Sequence, residues 1–297
     1  MIEFIKGLTF AVIAPSGPAD RAAVEAGCAA IARSGAEALV MPNVFKQDSA
    51  DYLSASRQAR LDDFARALEN SAVDVLLCAR GGFGAVHLLD GIDYALLRER
   101  NLPLIGYSDI TALHLAMLRE RAGRPWVAPM AIRFERLEQD ERAQAMVCHL
   151  FTGEASLKVP IEIRRGADGF SALPAAINLA VAAAQCGTRH MPDLSGRVVI
   201  IEDVGESAYR IDRYLTQLEQ SGIFGATRGV VFGAFSNGPA DNEVADLLER
   251  HLEFLPEFVA TGFPFSHDWP VLGLDLTRPL RLENGFALQE EAGTGQL

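Results

Sequence analysis

Short apolar runs alternate with stretches of helical periodicity along the first half of the chain, and this alternation leaves the fewest folds open. Residues 9–14, 38–41, 73–78, 102–105 and 126–128 read as buried strands. Between them, Arg21–Arg33 keeps Val24, Cys28 and Ile31 in helical register and stops at Gly35, and 57–68 sets Leu61, Phe64, Ala65 and Leu68 on one face. Apart from Thr9 and Asp74 the runs are apolar, as in strands covered on both faces. The expected fold class is therefore α/β, with a doubly wound parallel sheet.

The stretch 102–118 is the pivot. A strand opened by Pro103 gives way at Gly106-Tyr107-Ser108 to a helix carrying Ile110, Leu113, Met117 and Leu118 at helical spacing. Ser108 then sits at the carboxyl end of a strand, where open α/β sheets place their ligands. The free N–H groups of the next helical turn, from Asp109 onward, could donate to a developing oxyanion. That is the logic of a nucleophile elbow, although the pattern is Gly-x-Ser-x-Ile rather than Gly-x-Ser-x-Gly. The plainer alternative is an N-cap pair, and this window alone favours it.

Composition excludes some function classes. The 297 residues suffice for one large or two ordinary domains, and 49% are hydrophobic, enough for a substantial core. A net charge of −12 without a basic run argues against nucleic acid and anionic membrane as partners. No charged-then-apolar leader and no apolar run of 18 residues is visible, so neither secretion nor membrane spanning is expected. Cys28, Cys78, Cys148 and Cys186 are far apart and read as reduced residues of a cytoplasmic protein. No two histidines have metal-ligand spacing, so no metal and no cofactor are expected.

Farther along, 139–151 and 174–186 read as helices, and 153–173, polar and broken by glycines and Pro160, as an inter-domain connection. A β-branched strand over 198–201 runs into Glu202 and Asp203; Asp203 suits a structural cap, while Glu202 lies nearer the apolar run and is the more desolvated. A helix over 209–220 with Ile211, Tyr214, Leu215 and Leu218 inside, a strand over 229–235 and a helix over 243–252 follow. The loop 80–84, Arg-Gly-Gly-Phe-Gly, leaves a strand and precedes a helix. It matches neither phosphate-binding glycine motif and has no nearby lysine, so a nucleotide-using enzyme is the weaker reading. The loop is either a plain glycine turn or a close backbone approach that completes an oxyanion hole.

Four separated motifs then carry a resemblance. Gly106-Tyr-Ser-Asp-Ile-Thr, Cys78-Ala-Arg-Gly-Gly-Phe-Gly, Ile201-Glu-Asp-Val-Gly-Glu with Tyr209-Arg-Ile-Asp-Arg, and Phe263-Pro-Phe-Ser-His together resemble the LD-carboxypeptidase family, serine peptidases of the muramoyltetrapeptide carboxypeptidase and microcin-immunity type. The likeness spans nearly the whole chain. It implies a Ser-Glu-His triad, matched here by Ser108, Glu202 and His267. It also implies a flavodoxin-like amino-terminal domain (1–152), the connection (153–173) and a smaller α/β carboxy-terminal domain (174–297), with the site between the domains.

The chemistry follows from the residue types. Serine needs a neighbouring base, His267 would supply it, and Glu202 would hold the imidazole tautomer. The Asp109 N–H with that of Gly81 or Gly82 would bind the oxyanion, each such donor contributing roughly 3 kcal/mol. A carboxypeptidase must also hold a terminal carboxylate, for which Arg80 and Arg210 are candidates, with a surface salt bridge the equal alternative for either. The resemblance implies release of D-alanine from cytoplasmic muropeptide tetrapeptides in peptidoglycan recycling. The expected partners are that small peptide and a second copy of the chain, with no nucleic acid and no membrane. The sequence departs from the family at Ala176-Ile177 and Ala128, where glycines are usual, and at Ser266 before the histidine. A microcin-immunity-type peptidase cleaving a peptidyl-nucleotide amide, and a binding protein on the same fold, are the other readings.

Overall fold

The computed structural model describes residues 1–46, 51–153 and 157–289. By its contacts the chain divides into two compact units, Met1–Thr152 with Gly273–Asp275, and Gly153–Leu272 with Leu276–Leu297.

The first unit holds β1 (Thr9–Ile13), α1 (Arg21–Arg33), β2 (Glu37–Val40), α2 (Arg57–Glu69), β3 (Val75–Cys78), α3 (Tyr94–Arg100), β4 (Pro103–Gly106), α4 (Thr111–Glu120), β5 (Arg124–Val127), α5 (Phe134–Gln139) and α6 (Glu141–Thr152). The sheet order is β2-β1-β3-β4-β5, all parallel, with Leu274–Asp275 added antiparallel beyond β5. This is the flavodoxin-like order, whose ligand-binding switch point lies outside the carboxyl ends of β1 and β3. Every residue of β3 and β4 is buried, as expected of strands covered on both faces. Side chains fix the helix starts: Asp20 accepts from the Ala23 N–H at 2.9 Å and Ser56 from the Ala59 N–H at 3.2 Å, caps worth about 1 kcal/mol each. The helix read over 139–151 is α6, which starts two residues later: α5 ends at Gln139, and Asp140 accepts from the Ala143 N–H at 3.0 Å as α6 begins.

The second unit holds β6 (Leu157–Pro160), β7 (Glu162–Arg165), β8 (Phe170–Ala172), β9 (Pro174–Asn178), α7 (Leu179–Gln185), β10 (Val198–Val204), α8 (Ala208–Gln220), β11 (Gly229–Ser236), α9 (Asp241–His251) and β12 (Phe258–Thr261). After β13 (Leu274–Asp275, in the first unit's sheet) come β14 (Leu280–Glu283) and β15 (Phe286–Gln289). One sheet runs β7-β12-β11-β10-β9, parallel except for β7, and the other is the antiparallel β6-β15-β14-β8. Two expectations change here. The stretch 153–173 is not a connection: it supplies β6, β7 and β8 to this unit. The stretch 174–186 is not one helix: β9 pairs with β10 and only the part after Asn178 is helical. Among the described residues, no helix is long and apolar enough to cross a membrane.

Candidate active site

In the first unit the chain leaves β4 through Tyr107 and enters a short 3-10 turn, Ser108–Ile110, before α4. Ser108 takes φ +65°, a left-handed conformation that costs a non-glycine residue of order 1–3 kcal/mol and clusters at functional sites. A Cβ on Gly81 would lie 2.9 Å from both the Cβ and the Oγ of Ser108 and 3.6 Å from the Asp109 nitrogen. Only glycine permits this approach, so the 80–84 loop is a close-approach loop laid on the serine, not a plain turn. Gly82, at φ +127°, continues it. Arg80 is exposed, and its Nε donates to the Gly81 carbonyl at 3.2 Å. Behind the turn, the buried Asp109 carboxylate accepts from Ser16 Oγ at 2.6 Å and from the Ala85 N–H at 2.9 Å.

In the second unit Glu202 lies inside β10, fully buried, rather than after the strand. Its neighbours on both sides are specialised. On β9 its register partner is Asn178, whose Nδ2 donates to Glu202 Oε1 at 3.1 Å and to Asp203 Oδ1 at 2.9 Å. The Asn178 Oδ1 meanwhile accepts from the Val181 N–H at 3.2 Å and caps α7. On β11 the register slips opposite Glu202, leaving an extra residue at Gly233-Ala234. This bulge frees the Ala234 N–H to donate to the Phe265 carbonyl at 3.0 Å. A Cβ on Gly233 would stand 2.3 Å from that same carbonyl oxygen. Ser236 Oγ donates to Asp268 Oδ2 at 2.5 Å. The bulge thus receives the loop that carries His267, and His267 Nδ1 lies 2.7 Å from Glu202 Oε2. A carboxylate only accepts, so the imidazole proton sits on Nδ1 and the basic lone pair is on Nε2. Asp203 accepts from Asn178, the Ala180 N–H and the Val204 N–H. Burial nonetheless pushes its carboxyl up to about 6, and the neighbouring Glu202 charge adds to the rise.

The structure therefore brings Glu202 and His267 together in one unit, and Ser108, Gly81 and Asp109 together in the other. Arg210 is engaged elsewhere, its guanidinium donating to Glu206 at 3.1 Å on the surface of α8. Ala128, Ala176 and Ile177, where the family has glycines, are buried, and the latter two belong to the β9–β10 pairing. Sequence reasoning missed Asn178, Ser16 and the side chain of Asp109; an asparagine just ahead of a helix was the one available signal, as an N-cap. Among the described residues no group of three or more His, Cys, Asp or Glu is arranged to hold a metal ion.

Two family models match this chain, the LD-carboxypeptidase N-terminal domain over residues 10–125 and the LD-carboxypeptidase C-terminal domain over 176–282. The chain belongs to the LD-carboxypeptidase family. It is an enzyme of the carboxypeptidase class. A Streptomyces coelicolor relative provisionally named a carboxypeptidase is 34% identical over 288 residues, 93% of this chain and 91% of its own. The murein tetrapeptide carboxypeptidase of Pseudomonas aeruginosa is 32% identical over 213 residues, 67% of each chain. The crystal structure of muramoyltetrapeptide carboxypeptidase from Oxalobacter formigenes shares the fold, with a TM-score of 0.82 over 96% of this chain and 100% of that one, at 24% identity. The motif of this carboxypeptidase that carries Ser108 falls in the first matched domain, and those that carry Glu202 and His267 both fall in the second.

Proposed function

We propose that the enzyme is a serine LD-carboxypeptidase that hydrolyses the amide before a terminal D-alanine in cytoplasmic muropeptide tetrapeptides, as a step of peptidoglycan recycling. Ser108 is its nucleophile, His267 its general base and Glu202 the carboxylate that holds the imidazole. The reading is carried by the 2.7 Å bond between His267 and the fully buried Glu202, in a chain related to a murein tetrapeptide carboxypeptidase.

In this mechanism His267 Nε2 takes the Ser108 proton as Oγ attacks the scissile carbonyl. The N–H groups of Asp109 and of Gly81 or Gly82 bind the oxyanion. His267 returns the proton to the leaving amine of D-alanine, and an acyl-Ser108 ester remains. Water, deprotonated by the same histidine, then attacks the ester, and collapse of the second tetrahedral intermediate restores Ser108 with its proton. The substrate's terminal carboxylate needs a cation. We assign that role to Arg80, which shares its loop with Gly81 and Gly82, over Arg210, which pairs with Glu206 on the surface of α8.

A D-centre and an L-centre cannot both present the carbonyl to the serine and the carboxylate to the arginine in one pose. The test is to incubate purified enzyme with L-Ala-D-Glu-meso-diaminopimelate-D-Ala, its L-Ala-terminated isomer and its amidated form, following free alanine by mass spectrometry. Release from the first peptide alone is expected. Equal release from the D- and L-terminated peptides would refute the stereochemical assignment. Release from none, with Ser108 still labelled by a fluorophosphonate, would favour a peptidyl-nucleotide amide as substrate.

A further inference from the structure

The mechanism above uses only the backbone N–H of Asp109, yet the residue is 2% exposed and its side chain is bonded within the fold. A single oxygen, Oδ2, accepts both from Ser16 Oγ at 2.6 Å and from the Ala85 N–H at 2.9 Å. Ser16, itself fully buried, lies in the loop after β1. Ala85 ends the glycine loop after β3, and Asp109 belongs to the turn after β4. One carboxylate oxygen therefore ties together the three loops that leave the carboxyl ends of three strands. These include both sides of the β1/β3 switch point, where this sheet order places its ligand.

The carboxylate is not isolated electrostatically. Burial raises its pKa, while the Ser16 and Ala85 donors and the charges of His87 and Arg60 act the other way. Arg60 is buried too, and donates to the carbonyls of Pro15 and Gly84, in two of the same loops. Burial raises the thiol of Cys78, at the end of β3, and the Asp109 charge adds to the rise. A buried carboxylate is retained only where it is bonded and balanced, and here every bond it makes joins loops around Ser108.

We propose that the Asp109 side chain is a positioning residue, holding the Ser16 and Ala85 loops on the Ser108 turn so that the Gly81–Gly82 donors and the serine stay in reacting register. The inference rests on Ser108 being the nucleophile. The close Gly81–Ser108 approach shows how little slack the arrangement has, and a misplacement near 1 Å costs about 100-fold in rate.

Asp109→Asn, Asp109→Ala and Ser16→Ala test it through two readouts, the kcat and KM of alanine release and the second-order rate of fluorophosphonate labelling at Ser108. An asparagine oxygen can occupy the Oδ2 place and accept both bonds, so Asp109→Asn should lose no more than about fivefold in either rate. Asp109→Ala should lose about 100-fold in both, with KM changed by less than about threefold. Should Asp109→Ala fail to fold, Ser16→Ala removes one bond and leaves the other. It should slow both rates about tenfold, with a melting temperature within a few degrees of wild type. Wild-type labelling and kcat in Ser16→Ala and in any folded Asp109→Ala would overturn the inference while leaving the serine mechanism standing. Losses in Asp109→Asn as large as in Asp109→Ala would also overturn it. Absence of labelling at Ser108 in the wild-type enzyme would instead remove the mechanism on which the inference rests.

Discussion

At the scale of single residues, Glu202 shows how a site is made from hydrogen bonds that must point one way. One oxygen faces His267 and the other faces Asn178. Asn178→Ala removes a donor to a buried carboxylate, an interaction worth about 1.5–3 kcal/mol, and the cap of α7, worth about 1 kcal/mol. A fall in kcat of at least about tenfold with little change in KM is expected, read by steady-state kinetics; wild-type kcat would mean that Glu202 holds its place without Asn178. Asp203 carries a second prediction. Its carboxyl lies at about 6 in the folded enzyme, above the ordinary value near 3.9. The native state therefore keeps this proton longer than the unfolded chain does. Its contribution to stability must fall as pH rises from about 4 to about 6 and then level off. Two pK units correspond to about 3 kcal/mol. Asp203→Asn cannot ionise, so the unfolding free energy of wild type minus that of the variant should drop by up to about 3 kcal/mol across this window in urea titrations. A difference that stays flat from pH 4 to pH 7 would show that burial does not hold the proton.

At the scale of elements, the bulge in β11 decides whether the histidine loop can dock. A Cβ on Gly233 would stand 2.3 Å from the Phe265 oxygen, so Gly233→Ala must push the loop outward. A displacement near 1 Å lowers kcat about 100-fold, while the fluorescence and melting profile of the folded protein stay close to wild type. Unchanged kcat would mean that the strand yields instead of the loop. This bulge was not legible in the sequence, because Gly-Ala inside a strand says nothing about which backbone it will meet. The apolar runs of β3 and β4 were legible, since burial on both faces demands them. The Ala-rich stretch 174–186 misled: alanine favours helix, but pairing with the Val and Ile residues of β10 overrides that preference up to Asn178. The strands within 153–173 were hidden for another reason. β6 buries only alternate residues and β7 is an edge strand with Ile163 among three charged residues, so neither shows a continuous apolar run. For the site, motifs far apart in sequence pointed to Ser108, Glu202 and His267, whereas Ser16 and Asn178 stayed silent, since a sequence names a side chain but not the atom it faces.

At the scale of the whole molecule, the serine of the proposed mechanism lies in one matched domain and its carboxylate and imidazole in the other. The central claim is that Ser108, His267 and Glu202 work as one catalytic unit. Residues that act only together lose their function once, whichever is removed first. The direct measurement is a double-mutant cycle on D-alanine release with Ser108→Ala, His267→Ala and the double variant. Each single change should lower kcat by a factor on the order of 10⁴–10⁶, with the double variant within about threefold of the slower single one. Losses that multiply in the double variant, or a Ser108→Ala enzyme with wild-type turnover, would contradict it.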